Sequence, residues 1–164
     1  MLFRSGGVVN VTIDVNATYD PDSEASDKGN RREMHNKATA AAAALEGVTN
    51  LRNLYDLVIY CLPPGSGTWV AYAYMNHYMS VYNHNWCNEL IPLMHEVGHN
   101  IGLSHSGTIF GGSLDMNYGD KTGYMGYAAR GVHERCFNAA KNYRLGWFED
   151  MKASIDPLQT LTEQ

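Results

Sequence analysis

His95-Glu96-Val97-Gly98-His99 sets two imidazoles four residues apart, with a carboxylate beside the first. On a helix such positions lie one turn above each other on one face, so both rings can aim at one point. Glu96 is rotated off that line but stays beside it, within reach of a water bound at the same point. Gly102 is a natural place to leave the helix, because a left-handed residue costs glycine almost nothing. The chain can then turn back and deliver His105 as a third nitrogen. Three neutral imidazoles, an open fourth position and an adjacent glutamate make a catalytic zinc site, where Zn2+ brings the pKa of bound water towards about 7. Glu96 would accept the proton of that water as it attacks a substrate and pass it to the leaving group. A bare H-E-x-x-H also occurs as two surface histidines and a solvated glutamate. The added glycine and third histidine argue against that bland reading.

The element that must carry these residues is a helix over 90–103. Asn88 is placed to cap it, Glu89 suits the positive end of its dipole, and Pro92 fits its first turn. Leu90, Leu93, Met94, Val97 and Ile101 are its expected buried side. Beyond His105, glycines crowd around a methionine from Asn117 to Tyr127, which means a tight, irregular backbone passing close to something. Met125 could form an apolar floor beneath the histidines, with Met116 as its rival. Tyr127, two residues on, is either a donor to a substrate oxyanion or a packed aromatic.

The remaining elements form the scaffold. Val8 to Val15 is β-branched and partly alternating, as a strand is, and Thr18 to Asn30 has loop composition. Arg31 to Leu45 is an alanine-rich helix with Gly47 as its stop and a stripe of Met34, Ala38, Ala41 or Ala42, and Leu45. Asp56 to Leu62 reads as a central strand covered on both faces, ended by Pro63-Pro64-Gly65. Trp69 to Asn76 reads as a further strand with Tyr72 and Tyr74 on one face, in the core or beside a cleft. His77 and His84 lie in the connection to the active-site helix as surface residues. A helix is expected over 131–144, with Val132, Cys136, Ala139, Ala140 and Tyr143 on its apolar side.

The chain has 164 residues, 45% of them hydrophobic and 18% charged, which suits one globular domain and excludes disorder. A net charge of −5 without a basic run makes nucleic acid a poor partner. No apolar run reaches the length of a membrane span. Met1 to Gly7 lacks the apolar stretch of a signal peptide, whereas Asn10-Val11-Thr12 and Asn16-Ala17-Thr18 are glycosylation sequons. Together they suggest a fragment of a longer secreted protein. Cys61, Cys87 and Cys136 are either small buried residues or one disulfide plus a free thiol.

With these residues in view, the chain resembles a metzincin, on His95, Glu96, His99, Gly102, His105 and Met125. Ser106 resembles the matrixin arrangement, and Met125-Gly126-Tyr127 the Met-x-Tyr order of astacins and serralysins. More narrowly, it resembles the gametolysin family of algal cell-wall-lytic metallopeptidases. That likeness rests on Tyr60-Cys61-Leu62-Pro63-Pro64-Gly65, on Tyr118-Gly119-Asp120 with Met125-Gly126, and on Cys136-Phe137-Asn138-Ala139-Ala140-Lys141 followed by Leu145-Gly146-Trp147. The resemblance implies an α/β (α+β) zincin fold: a twisted mixed sheet, a long active-site helix, an upper subdomain over about 1–105 and a loop-rich lower one over about 106–164. It implies one catalytic Zn2+ on His95, His99 and His105, Glu96 as general base with Tyr127 assisting, and Met125 in a Met-turn. It further implies an extracellular or cell-wall location. The implied substrate is a hydroxyproline-rich glycoprotein bound in extended form along an edge strand, for which Trp69 to Asn76 is the best placed.

Two other readings compete. One is a catalytically inactive, zinc-binding and peptide-binding module of a wall or matrix assembly. The other is a structural zinc site, which would need a fourth protein ligand from Cys61, Cys87 or Cys136.

Overall fold

The computed structural model describes residues 8–16, 26–108, 117–127, 135–151 and 153. Its regular elements are α1 (Ser26–Glu46), β1 (Val58–Leu62), β2 (Ala71–Ala73), β3 (Met79–Asn83), α2 (Leu90–Asn100) and α3 (Ala139–Leu145), with short 3-10 turns between them. Helices and a small mixed sheet make an α+β fold. The sheet has the order β1-β3-β2: β1 runs parallel to β3 from Val58↔Met79 to Leu62↔Asn83, and β2 runs antiparallel to it with Tyr72↔Val81 in register.

β3 is the central strand, and all five of its residues are buried. The expected central strand is therefore displaced. β1 lies at one side of the three, and its Ile59 and Cys61 are exposed while Tyr60 and Leu62 are buried. Asn83 closes the far end of the sheet: its amide donates to the carbonyls of Gly67 and Trp69, and its Oδ1 accepts from Ser66 Oγ. These bonds hold the Pro63–Gly67 turn against β3.

α1 covers one face of the sheet. Met34 and Ala38 pack on Tyr60, Leu62, Met79 and Val81, while Ala42 and Ala43 pack on Leu51. The helix starts at Ser26, five residues before the composition indicates, and it stops where expected, at Gly47 with φ +68°. Leu45, assigned to the buried stripe, is exposed; Ala43 is buried in its place. Tyr72 packs against this core and shares a 2.7 Å hydrogen bond with His35 Nδ1, so it is a core residue. Tyr74 is exposed, with its ring 6.2 Å from that of Tyr72. His77 is also not a free surface residue: its ring stacks 4.5 Å from Tyr78. His84 is exposed, as expected.

Three other expectations change. Residues 9–16 form no strand; Val8 and Val11 are exposed and only Ile13 reaches the core, against Ala42, Ala43 and Leu51. The alternate positions Asn10, Thr12 and Asp14 are polar, and no described strand pairs with them. Trp69 to Asn76 contributes only Ala71–Ala73 as strand, because Asn76 takes a left-handed turn (φ +53°) to meet α2. The last helix begins at Ala139, where Asn138 accepts a 3.0 Å bond from the Lys141 amide as its cap. Cys136 precedes it in a β-bridge with Gly123, and Val132 falls outside the described residues.

Cys61 and Cys87 form a disulfide with Cα atoms 5.7 Å apart, and Cys136 is a free, exposed thiol. The bond ties β1 to the 3-10 turn (His84–Asn88) that leads into α2. Among the described residues no helix is long and apolar enough to cross a membrane.

Candidate functional site

α2 carries His95 and Glu96 on one turn and His99 on the next, as their spacing requires. Its N-cap residue is Glu89, which makes no side-chain cap bond; Asn88 lies in the preceding turn and does not cap it, and Pro92 falls in the first turn. Met94 of the predicted apolar stripe packs against Leu103, Tyr124, Met125 and Phe137, but the fully buried positions of α2 lie elsewhere. Glu96, Gly98 and Asn100 are its buried residues, whereas Leu90 and Ile101, at its two ends, are exposed. The helix lies against polar backbone: Asn100 Nδ2 donates to the carbonyls of Met79 (2.9 Å) and Tyr74 (3.3 Å), which docks it on the sheet.

Gly102 reverses the chain with φ +90°. Leu103 N reaches back to Gly98 O at 2.8 Å, and Asn76 Oδ1 occupies the place a side chain at 102 would need. Glycine is required there twice over, by conformation and by space. The reversal brings His105 back onto the helix, with ring centroids 4.8 Å from His99 and 5.1 Å from His95.

The ligand atoms of His95, His99 and His105 all lie within 4.8 Å of one another, a group that could hold a metal ion. Their hydrogen bonds set the rings for it. His95 Nδ1 pairs with the Tyr124 carbonyl and His99 Nδ1 with the Leu103 carbonyl, each at 2.7 Å. A carbonyl only accepts, so both Nδ1 atoms carry the proton and both Nε2 atoms keep a lone pair. His99 Nε2 and His105 Nε2 stand 3.1 Å apart. Two nitrogens each bound to one zinc at its usual length would be about 3.3 Å apart in tetrahedral geometry, so the donors fit.

Burial holds all three imidazoles below their ordinary pKa: His95 to about 4, with His99 and His105 lowered in the same sense. They are neutral near pH 7, as metal ligation requires. Glu96, only 6% exposed, has its carboxyl pushed up to about 8 by desolvation. A carboxylate drawn out of water beside three donor nitrogens is a costly arrangement, and such arrangements gather at functional sites.

Met125 is 1% exposed and packs with Leu103, Tyr124 and Phe137 directly under α2 at Gly98. Met116 falls outside the described residues. Tyr127 is on the turn after Met125, 60% exposed, with its amide bonded to Tyr118 O at 2.9 Å. The aromatic ring against the histidines belongs to Tyr118: its centroid is 4.1 Å from His105 and 6.0 Å from His95. Burial and the nearby Glu96 charge raise its phenol pKa. Sequence reasoning passed over Tyr118, although it opens the Tyr-Gly-Asp run. Among the described residues no fourth His, Cys, Asp or Glu joins the histidine group. Cys61 and Cys87 are consumed by their disulfide. That removes the closed four-ligand reading for the described residues.

The model of the gametolysin peptidase M11 family matches residues 4–161. The chain belongs to the gametolysin peptidase family. It is similar to an autolysin of Chlamydomonas reinhardtii, 35% identical over an alignment of 114 residues that covers 63% of this chain and 17% of that protein. The chain thus spans under a fifth of the length of that relative. No solved structure matches it. Membership makes this gametolysin-type chain a member of a family of metallopeptidases, and the histidine group is where a metal could sit.

Proposed function

We propose that the protein is a zinc-dependent endopeptidase acting on extended segments of cell-wall or matrix glycoproteins outside the cell. The observation that carries this reading is the convergence of three neutral imidazoles, two with their Nε2 lone pairs set by backbone carbonyls, beside a buried glutamate. Family membership supports peptide-bond hydrolysis, and the name of the autolysin relative supports a wall substrate. The Cys61–Cys87 disulfide supports an oxidising, extracellular compartment.

His95, His99 and His105 would hold the ion. When bound, Zn2+ supplies Lewis acidity and acidifies a water. Beside a bound cation Glu96 would be ionised despite its burial. Glu96 then takes the proton of the attacking water and returns it to the leaving amine. A phenol, Tyr118 or Tyr127, donates to the oxyanion. Met125 closes the site from below and keeps water off the underside of the rings. β2 offers a sheet-edge backbone to an extended peptide, which gives affinity with tolerance of sequence.

The test is Glu96→Gln, which keeps size and hydrogen bonding but cannot act as a base. Zinc binding should persist and turnover fall by at least about 100-fold, the lower end of what general base catalysis contributes. Retained turnover would overturn the assignment. The alternative, a zinc-binding module without turnover, would show full zinc content and no cleavage in the wild-type chain.

A further inference from the structure

Below the histidine group, the carboxylate of Asp120 gathers bonds from two stretches of chain and its amide reaches a third. Asp120 Oδ1 accepts from Thr122 N (2.8 Å), Thr122 Oγ1 (2.6 Å) and Gly123 N (3.3 Å), which folds the turn leading to Met125. Asp120 Oδ2 accepts from Asn138 Nδ2 at 2.9 Å. That same amide donates to Ser106 Oγ at 3.3 Å, next in chain to His105. The Asp120 amide donates to Ser106 O at 3.0 Å, and the Ser106 amide donates to Met125 O at 2.7 Å. Asn138 also starts α3, whose Lys141 Nζ donates to His105 O at 3.1 Å. There is no slack in this arrangement: a side chain at Gly126 would overlap the Asp120 carbonyl, and one at Gly123 would come within 2.9 Å of Asp120 Oδ2.

We propose that Asp120 is a positioning residue for the metal site, fastening the turn that carries Met125 and the segment that carries His105 into one unit through Asn138 and Ser106. The inference rests on the zinc-peptidase reading above. His105 comes from a loop, unlike His95 and His99, so its nitrogen is only as well placed as the loop is held. Tyr124, whose carbonyl orients His95, sits in the same turn, so the unit sets two of the three rings. Partners that orient metal ligands are typically worth about 10–100-fold in metal affinity.

Asp120→Asn leaves an acceptor for Thr122 but turns an amide donor against the Asn138 amide donor. Asn138→Asp sets two carboxylates face to face. The paired exchange, Asp120→Asn with Asn138→Asp, restores one donor and one acceptor and retains a good cap for α3. Asn138→Ser serves as a milder variant that keeps a cap and removes the bridge. Three readouts apply: zinc affinity by chelator competition, the visible spectrum of the cobalt-loaded protein, and hydrogen exchange at the Ser106 amide without metal. Each single variant should weaken zinc binding about 10–100-fold, alter the cobalt spectrum and speed Ser106 exchange, and the paired exchange should recover most of the affinity. Single variants that lose thermal stability while zinc affinity and cobalt spectrum stay at wild-type values would overturn the proposal. A paired variant no better than the singles would do so too. A wild-type chain that takes up neither zinc nor cobalt would overturn the zinc reading instead. In that case unchanged Ser106 exchange in Asp120→Asn overturns the fastening role as well, and faster exchange upholds it.

Discussion

The Sδ atom of Met125 lies in the space left by the missing side chain of Gly98, on the turn of α2 between His95 and His99. A Cβ at 98 would overlap that sulfur and come 3.0 Å from Phe137 Cε1. Alanine is favoured over glycine by about 1 kcal/mol in a helix interior, but overpacking a tight core costs about 1–3 kcal/mol. Overpacking should win at this position. Gly98→Ala is expected to lower stability, and combining it with Met125→Ala should cost at least about 0.5 kcal/mol less than the sum of the two single changes. Strict additivity in that double-mutant cycle would mean that the two residues do not share the space.

Tyr118 and Tyr127 offer competing phenols. Tyr118 packs its ring on His105 and is 40% exposed, whereas Tyr127 lies further out. Tyr118→Phe keeps the ring and deletes only the hydroxyl. It should reduce kcat about tenfold with little change in KM, the pattern of an interaction made only in the transition state. A larger fall with Tyr127→Phe would transfer the oxyanion role to that residue.

His35 is 3% exposed, and desolvation, aided by the Arg32 charge, lowers its pKa. The groups around it include the Tyr72 hydroxyl, Arg32, hydrogen bonds with Arg31 and Asn36 that oppose the shift, and His77. Because the unfolded chain binds this proton more readily, stability is full above the ordinary value of 6.5 and is lost as pH falls from there towards the folded value. His35→Gln removes that dependence. The melting-temperature advantage of wild type over His35→Gln should therefore shrink between pH 7 and pH 5; a gap that is constant or widens would contradict this.

The Cys61–Cys87 bond closes a separation of 26 residues. Loop-closure entropy for such a loop is worth about 3 kcal/mol, or about 10 °C in Tm for a chain of this size. The Cys61→Ser, Cys87→Ser double variant should melt lower by about that amount in non-reducing buffer. An unchanged melting temperature would show that the bond contributes nothing.

Much of the site was legible because helical spacing is a strong code. His95 and His99 share a face whatever surrounds them, and Gly102 had to be where the chain reverses. Met125 was readable from the glycines around it. The tertiary features were not. β3 escaped because Met79-Ser80-Val81-Tyr82-Asn83 is short and half polar, and its burial comes from strands on both sides rather than from its composition. The buried polar side of α2 escaped because Asn100 Nδ2 donates to carbonyls of a distant loop and strand. Tyr118 and Asp120 act across gaps of 13 to 18 residues, to His105 and Asn138, and no periodicity reports such pairings. Asp120 did leave a local trace, since aspartate two residues before threonine in a glycine-rich stretch marks a turn closed by the side chain.

The most direct measurement is the zinc content of the purified chain, taken together with cleavage of denatured casein before and after chelation. About one zinc per chain is expected, one for the three-histidine group found among the described residues, with cleavage abolished by chelator and restored by added zinc. Cleavage that survives complete removal of the metal, or a folded chain that binds no zinc, would contradict it.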